Sequence, residues 1–195
     1  MVRTSRIERN TTETQVMVEI DLDGGGRADV DTGIPFLDHM LTLFCVHGQF
    51  DLTIAASGDL EVDFHHTVED VALVLGETVF RALGDRAGIR RYGFAVTPMD
   101  EALAEVAIDL SNRPYLVYNL PLELESPGVF DRGLAKEFFR AFAVKGGMNL
   151  HINVRYGKNE HHVLESVFKS TGRALNQAVV LDAGRQGVRS SKGVL

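Results

Sequence analysis

The chain has 195 residues, of which 45% are hydrophobic, so it can bury a substantial core. Its formal net charge of −7 argues against nucleic acid or an anionic membrane as the main partner. No apolar run approaches the ~20 residues that a membrane helix requires, and the N-terminus does not lead into a signal-peptide core. Cys45 stands alone between apolar neighbours and is predicted to be a buried thiol. We therefore expect a cytoplasmic protein without an intrachain disulfide.

The first half of the chain is predicted to form strands, a helix, a strand and a second helix. Period-two alternation marks the strands, a glycine turn at 23–26 separates the first two, and helical spacing of apolar residues marks the helices. In chain order the predicted elements are strands over 6–22 and 27–30, a helix over 35–47, a strand over 50–56 and a helix over 65–83.

The second half repeats this plan, and the segment Val106–Leu110 echoes Val18–Leu22. The predicted elements here are strands within 94–110 and at 115–118, a loop over 121–133, a helix over 136–144, a strand over 148–154 and a helix over 161–180. We interpret the chain as a single α+β domain over 1–195. It is an internal duplication of a β-α-β-α type half, with repeats of about 1–90 and 91–182 and a tail over 183–195. The sheets should bury one face beneath the helices.

One motif, His-His-x-x-Glu, occurs at 65–69 and again 96 residues later at 161–165, each time at the start of a predicted helix. On a helix, Glu69 can share a face with His65 or His66, whereas adjacent histidines point roughly 100° apart. The two histidines of one copy therefore suit two metal ions better than one. A single pair would usually be a polar surface feature, but the repeated set suits Mn, Fe, Co, Ni or Zn.

Alignment of the two repeats extends this ligand set. When His47–Gly48 is aligned with Lys145–Gly146, His39 lies opposite Glu137, and the two motif copies lie opposite each other. This arrangement predicts a pseudo-symmetric two-metal site. One ion would take His39, His66, His161 and Glu165, and the other would take Glu137, His162, His65 and Glu69.

Several longer stretches match one known family, in that family's order and over nearly the whole chain. They are DTGIPFLDHML (31–41), DFHHTVEDVALVLGE (63–77), PMDE (98–101), SNRPYL (111–116), LHI (150–152), GKNEHHVLESVFK (157–169) and SSKGVL (190–195). The chain thereby resembles the imidazoleglycerol-phosphate dehydratases of histidine biosynthesis. The resemblance implies a duplicated fold similar to ribosomal protein S5 domain 2 and a homo-oligomer, a 24-mer. It also implies two Mn(II) ions per active site, bound between neighbouring subunits.

The resemblance further implies loss of water from D-erythro-imidazole glycerol phosphate to give imidazole acetol phosphate. The hydrogen to be removed is not next to a carbonyl, so two metals on the ring nitrogens would stabilise an imidazolate instead. By resemblance, Glu13 within RNTTET (9–14) is the general acid/base. At Glu137 the chain departs from the family, which usually carries histidine there. A carboxylate is a sound manganese ligand, so we expect coordination with a changed affinity.

Phosphate and substrate contacts of the family match six further residues besides Glu13. They are Arg91, Arg113, Lys169, Ser190, Ser191 and Lys192. Arginine suits bidentate phosphate contacts, and hydroxyl groups add donors. Judged without the family, Arg91 and Lys169 would be ordinary surface charges.

Two other classes of function remain open on the motifs alone. A dinuclear metallohydrolase acting on phosphate esters would use a metal-bound hydroxide and release inorganic phosphate, whereas a dehydratase keeps the ester intact. A non-catalytic, metal-nucleated assembly protein would assemble without turnover. That last class leaves Glu13 and the Ser190–Lys192 tail without a role.

Overall fold

The computed structural model describes residues 3–120, 130, 132–184, 187–193 and 195, and the same order of elements occurs twice. The first repeat contains β1 Thr4–Asn10, β2 Thr14–Asp21, β3 Ala28–Asp31, α1 Pro35–Gly48, β4 Asp51–Gly58 and α2 His65–Leu83. The second contains β5 Tyr92–Met99, β6 Ala102–Asp109, β7 Tyr115–Asn119, α3 Arg132–Gly146, β8 Asn149–Tyr156 and α4 Glu160–Val179. The predicted α+β duplication is thereby confirmed.

Each repeat forms a four-stranded mixed sheet, ordered β1-β2-β4-β3 in the first and β5-β6-β8-β7 in the second. β3 runs parallel to β4 and β7 parallel to β8, whereas the other neighbours are antiparallel. Equivalent residues hold equivalent register, since Val18 pairs with Ile54 and Val106 pairs with Ile152. The two sheets therefore share one plan down to the pairing of single residues.

The prediction of one strand over 6–22 was wrong, because the chain turns between β1 and β2. The Thr11 hydroxyl accepts hydrogen bonds from the backbone N–H groups of Glu13 and Thr14 and so closes this turn. Alternation alone did not reveal the break, because threonine is common in strands as well. Glu13 consequently lies in a turn at the end of the sheet and not on a solvent-facing strand position.

The helix boundaries match the predictions closely, except in α3, which was predicted over 136–144. It begins earlier, at Arg132, whose backbone N–H donates to the Glu160 carboxylate of α4 at 2.8 Å. The loop predicted over 121–133 lies largely outside the described residues, and its last two residues belong to α3. Within the described part of the chain, no helix combines the length and apolarity needed to cross a membrane.

One face of each sheet is buried beneath a helix that starts with the His-His-x-x-Glu motif. β2 buries alternate residues such as Val16, Val18 and Ile20, as a half-covered sheet requires. α2 packs on β1 and β2, and α4 packs on β5 and β6. Cys45 lies in this core, where its thiol donates to the Phe50 carbonyl and burial raises its pKa to about 11. It is a packing group, as the sequence predicts.

The helices of one repeat pack against those of the other, α1 against α4 and α2 against α3. Each crossing depends on a glycine of a motif helix. A Cβ on Gly172 of α4 would overlap the Phe44 carbonyl of α1, and one on Gly76 of α2 would lie 2.6 Å from the Phe142 carbonyl of α3. Glycine is required at both positions because backbone occupies the space of a side chain.

We expect Gly172→Ala and Gly76→Ala each to lower the free energy of unfolding by about 1–3 kcal/mol, because the crossing helix must move away. Denaturant unfolding followed by circular dichroism measures this change. Gly25→Ala is the matched control, because no atom lies within 4 Å of a Cβ built there. Equal stability of the Gly172 and Gly25 variants would contradict the close crossing.

Candidate metal centre

At the crossing of α1 and α4, His39 meets His161 and Glu165. The Nε2 atoms of His39 and His161 lie 3.2 Å and 2.9 Å from the same carboxylate oxygen, Glu165 Oε1. One ligand atom from each of the three side chains lies within 4.8 Å of the others. Two imidazoles and a carboxylate at this spacing form a donor set suited to a divalent transition metal.

The Glu165 carboxylate is buried at 7% exposure but remains ionised. Burial opposes its charge, yet hydrogen bonds from Lys169, His39 and His161 outweigh that effect and hold the pKa of Glu165 at about 2. Lys169 Nζ contacts the second oxygen, Oε2, at 2.5 Å and leaves Oε1 to the histidines. The Lys169 side chain is only 13% exposed, so Lys169 is not the ordinary surface charge for which it would be taken without the family.

The repeat-related positions at the crossing of α2 and α3 are arranged differently. Here Arg140 of α3 donates to Glu69 Oε1 and to Glu137 Oε2, each at 2.7 Å. His65 Nε2 lies 3.7 Å from Glu69 Oε2, beyond hydrogen-bond distance. The structure thus brings Glu69 and Glu137 together, as the repeat alignment predicts, but an arginine connects them. Among the described residues, metal-ligand spacing occurs only in the His39 cluster.

The second histidine of each motif points to a carboxylate of its own. His66 Nδ1 lies 3.0 Å from Asp59 Oδ2, and His162 Nδ1 lies 2.6 Å from Glu101 Oε2. These hydrogen bonds raise the pKa of both imidazoles, and the His162 contact lowers the pKa of Glu101 to about 2. With Nδ1 occupied, Nε2 is the nitrogen left for a metal. Within one chain, neither histidine joins the ligand cluster predicted for it.

Glu13 lies beside His66 in the turn before β2. Its carboxylate is 54% exposed and 3.9 Å from His66 Nδ1, so the two make a loose ion-pair contact without a hydrogen bond. The backbone is held more firmly, because the Glu13 carbonyl accepts the Asp59 N–H at 3.2 Å. The predicted acid/base is therefore anchored by its main chain next to a candidate ligand.

A separate pocket of about 490 Å³ collects most of the predicted phosphate contacts. Its lining includes Arg91, Arg113, Ser190, Ser191 and Lys192. Lys169 is absent from this lining and lies at the His39 cluster instead. The pocket therefore concentrates cationic and hydroxyl groups, which are suitable partners for a phosphate.

Arg91 connects that pocket to the sheet beneath it. Its Nε donates to Asp109 Oδ1 at 2.6 Å, and its Nη1 donates to the Arg189 carbonyl at 2.5 Å. The side chain is only 10% exposed, so Arg91 is also not the ordinary surface charge that its sequence position suggests. It holds the tail residues of the pocket against the second repeat.

Sequence reasoning assigned no role to Asp59, Glu101 or Arg140. A signal existed for Glu101, which precedes β6 by one residue just as Glu13 precedes β2. Arg140 stands three residues after Glu137 on a helix, a spacing that favours an ion pair. Asp59 lies in a linker without periodicity, and nothing in the sequence indicated its contact with His66.

The fold and these clusters define a duplicated α+β protein with a candidate metal centre between the repeats and a pocket for an anion. A family model described as imidazoleglycerol-phosphate dehydratase matches residues 32–175. The chain belongs to this family, and it is a hydro-lyase of histidine biosynthesis. The predictions of family, fold class and enzyme class are thus confirmed.

Relatives match this chain over 99–100% of its length, and solved structures match 92–97% of it. Imidazoleglycerol-phosphate dehydratase of Desulfosudis oleivorans is 60% identical over 195 residues and 100% of both chains. That of Syntrophobacter fumaroxidans is 55% identical over 99% of this chain and 98% of the relative. The Staphylococcus aureus crystal structure has a TM-score of 0.82 at 38% identity, covering 92% and 99% of the two chains. The Pyrococcus furiosus structure, in complex with (S)-C348, has a TM-score of 0.85 at 36% identity, covering 97% and 100%.

We expect Glu101→Ala to weaken binding of a divalent metal ion by about 10- to 100-fold, because the candidate ligand His162 loses the carboxylate that orients it. Titration of metal-free protein, with free Mn²⁺ followed by electron paramagnetic resonance, measures the affinity. Glu101 also accepts the N–H groups of Lys158 and Asn159, so Glu101→Gln, which keeps an acceptor there, should give a smaller loss. Glu105→Gln, whose partner is Arg155, is the control. Unchanged affinity in Glu101→Ala would refute the orienting role.

Proposed function

We propose that this chain dehydrates D-erythro-imidazole glycerol phosphate to imidazole acetol phosphate at a centre of two Mn²⁺ ions. The observation that carries the proposal is the His39, His161 and Glu165 cluster, which combines ligands from both repeats at one helix crossing. The anion pocket beside the tail supports a phosphorylated substrate. Membership of the family supports the reaction itself.

The donor groups of this chain fit two such ions. The His39 cluster offers two imidazoles and an ionised carboxylate, and the crossing of α2 and α3 offers two carboxylates and an imidazole. Imidazole and carboxylate are both accepted by manganese. The first ion would be held by His39, His161 and Glu165, and the second by Glu137, His65 and Glu69. His66 and His162 would each supply one further nitrogen.

We infer that these last two ligands come from neighbouring subunits. Within the described part of one chain, His66 and His162 contact Asp59 and Glu101 and belong to no group with metal-ligand spacing, so a second copy would complete each coordination shell. The family resemblance supports a homo-oligomer, a 24-mer, as the assembly that achieves this. Sharing a metal between chains links ion binding to association.

Two bound ions would supply Lewis acidity and a template for the imidazole ring of the substrate. Side chains of the protein would bind the substrate and keep the Glu165 ligand in its charged form. Arg91, Arg113 and the Ser190–Lys192 segment would hold the phosphate and so place the glycerol carbons near the centre. Lys169 keeps Glu165 ionised, because its ammonium group contacts Oε2.

Proton transfer is assigned to Glu13. Dehydration breaks the C–O bond next to the ring and a C–H bond on the following carbon, which gives an enol. The enol then gains a proton on the carbon next to the ring and loses its hydroxyl proton to become the ketone, and this second proton balances the departing hydroxide as water. The Glu13 carboxylate can take the first proton and return one, because no described residue hydrogen-bonds to its oxygens and it lies beside a candidate ligand. One deprotonation and one protonation thus use the same side chain.

The deciding experiment incubates Mn-loaded protein with imidazole glycerol phosphate and measures both the keto product and free phosphate. We expect keto product without phosphate release, and phosphate release would instead support the hydrolase.

Glu13→Gln should bind Mn²⁺ normally but lose about 10²- to 10⁴-fold in turnover, because a general acid/base is removed. Glu8→Gln, which alters an exposed strand residue paired with Arg6, should behave as the unaltered enzyme. A near-normal rate for Glu13→Gln would remove Glu13 from the mechanism.

Removal of metal should lower the native mass, because ligands shared between chains connect subunits only while an ion is bound. Native mass spectrometry after chelation measures this, and addition of Mn²⁺ should restore the larger assembly. Metal content measured on the same sample confirms that chelation is complete. An unchanged 24-mer without metal would show that assembly does not depend on these ligands.

A further inference from the structure

The two candidate half-sites differ in what holds their carboxylates together. In the α2/α3 half-site, defined by Glu137, His65 and Glu69, the Arg140 guanidinium contacts both glutamates at 2.7 Å. In the α1/α4 half-site, defined by His39, His161 and Glu165, the two histidines contact the carboxylate directly. In the α2/α3 half-site, an arginine thus connects the two carboxylates. In the α1/α4 half-site, the corresponding ligands contact each other directly.

Repeat alignment shows where this difference arises. The alignment that places His39 opposite Glu137 also places Thr42 opposite Arg140. The Thr42 hydroxyl donates to the Asp38 carbonyl within α1 and does not reach across to α4. The first repeat therefore has a neutral pair of residues where the second has an acid and a base, and the net charge is the same for both pairs.

Lys169 does not play the part of Arg140 in the α1/α4 half-site. It stands on α4 itself, one turn after Glu165, and of the two Glu165 oxygens it contacts Oε2, which the histidines do not use. Its counterpart on α2 is Leu73. The Lys169 ammonium group thus contacts the Glu165 oxygen that the histidines leave free, whereas the Arg140 guanidinium lies between two carboxylates.

We propose that the two ions bind with unequal affinity, because Arg140 neutralises Glu69 and Glu137 and competes with the second ion. The α1/α4 half-site fills first, and the α2/α3 half-site fills only when metal displaces the guanidinium from one or both glutamates. Arg140 and both glutamates are partly exposed in the single chain, so packing within that chain does not fix the guanidinium in place. Its charge still remains close to the ion and lowers the affinity. This inference rests on the proposed two-metal function.

The test is a Mn²⁺ titration of metal-free protein, with free ion measured by electron paramagnetic resonance and bound ion by elemental analysis. The unaltered chain should show two classes of site. Arg140→Thr introduces the residue of the first repeat and leaves two glutamates without a cation, so the weaker class should bind about tenfold more tightly. The tighter class should not change. Glu137→His combined with Arg140→Thr should bring the two classes together.

Arg81→Thr is the matched control, because it removes an arginine of α2 whose partner, Glu77, is not a candidate ligand. It should leave both classes unchanged. Arg140→Gln, which keeps length and hydrogen bonding without the charge, replaces Arg140→Thr if that variant does not fold. An unchanged or weaker second class in the Arg140 variants would overturn the proposal.

The outcomes also separate this inference from the function on which it rests. Two equal classes in the unaltered chain, with full turnover, would defeat the unequal half-sites and leave the two-metal dehydratase intact. Absence of tight Mn²⁺ binding in every variant would defeat both.

Discussion

Helix backbones cross at Gly172 and Gly76 with no room for a side chain, and the candidate metal centre follows from these two crossings. Each crossing joins a helix of one repeat to a helix of the other, α1 to α4 and α2 to α3. His39 therefore reaches His161 and Glu165, although it comes from the other half of the chain. A bulkier residue at either glycine would separate the helices and with them the ligands.

Carboxylates orient the second histidine of each motif by two different routes. In the second repeat Glu101, the counterpart of Glu13, holds His162. In the first repeat the linker between strand and helix is longer, residues 59–64 against 157–159, and it supplies Asp59 to hold His66. Because Asp59 takes that place, the Glu13 carboxylate has no hydrogen bond to any residue in the described part of the chain. This difference between the repeats agrees with a role in proton transfer for Glu13 alone.

The sequence predicted the features that depend on period and repetition. The helix over 65–83 and the burial of Cys45 follow from local apolar patterns, and the duplication follows from the recurrence of one motif 96 residues later. Alignment of the repeats also predicted that His39 shares a metal ion with His161 and Glu165 of the second motif. The polar turn at 11–13 escaped prediction, because its threonines are equally compatible with a strand.

Features that depend on which surfaces meet could not be predicted from the pattern. Periodicity shows that a helix has an apolar face but does not name the helix that covers it. Arg91 is buried against Asp109, which lies at the end of β6. Lys169 is buried against Glu165, one helical turn before it on α4. The spacing of Arg140 and Glu137 on one helix favours an ion pair between them. The contact of Arg140 with Glu69 could not be predicted, because it depends on the packing of α3 on α2.

The exchange of helix partners between the repeats also bears on how the chain folds. Contacts such as that of Gly172 with Phe44 join residues from the two ends of the sequence, so most of the chain must close into a loop before they form. Neither repeat by itself can cover its motif helix. We therefore expect the halves to fold in one cooperative, comparatively slow transition, despite a duplicated sequence that suggests two independent modules.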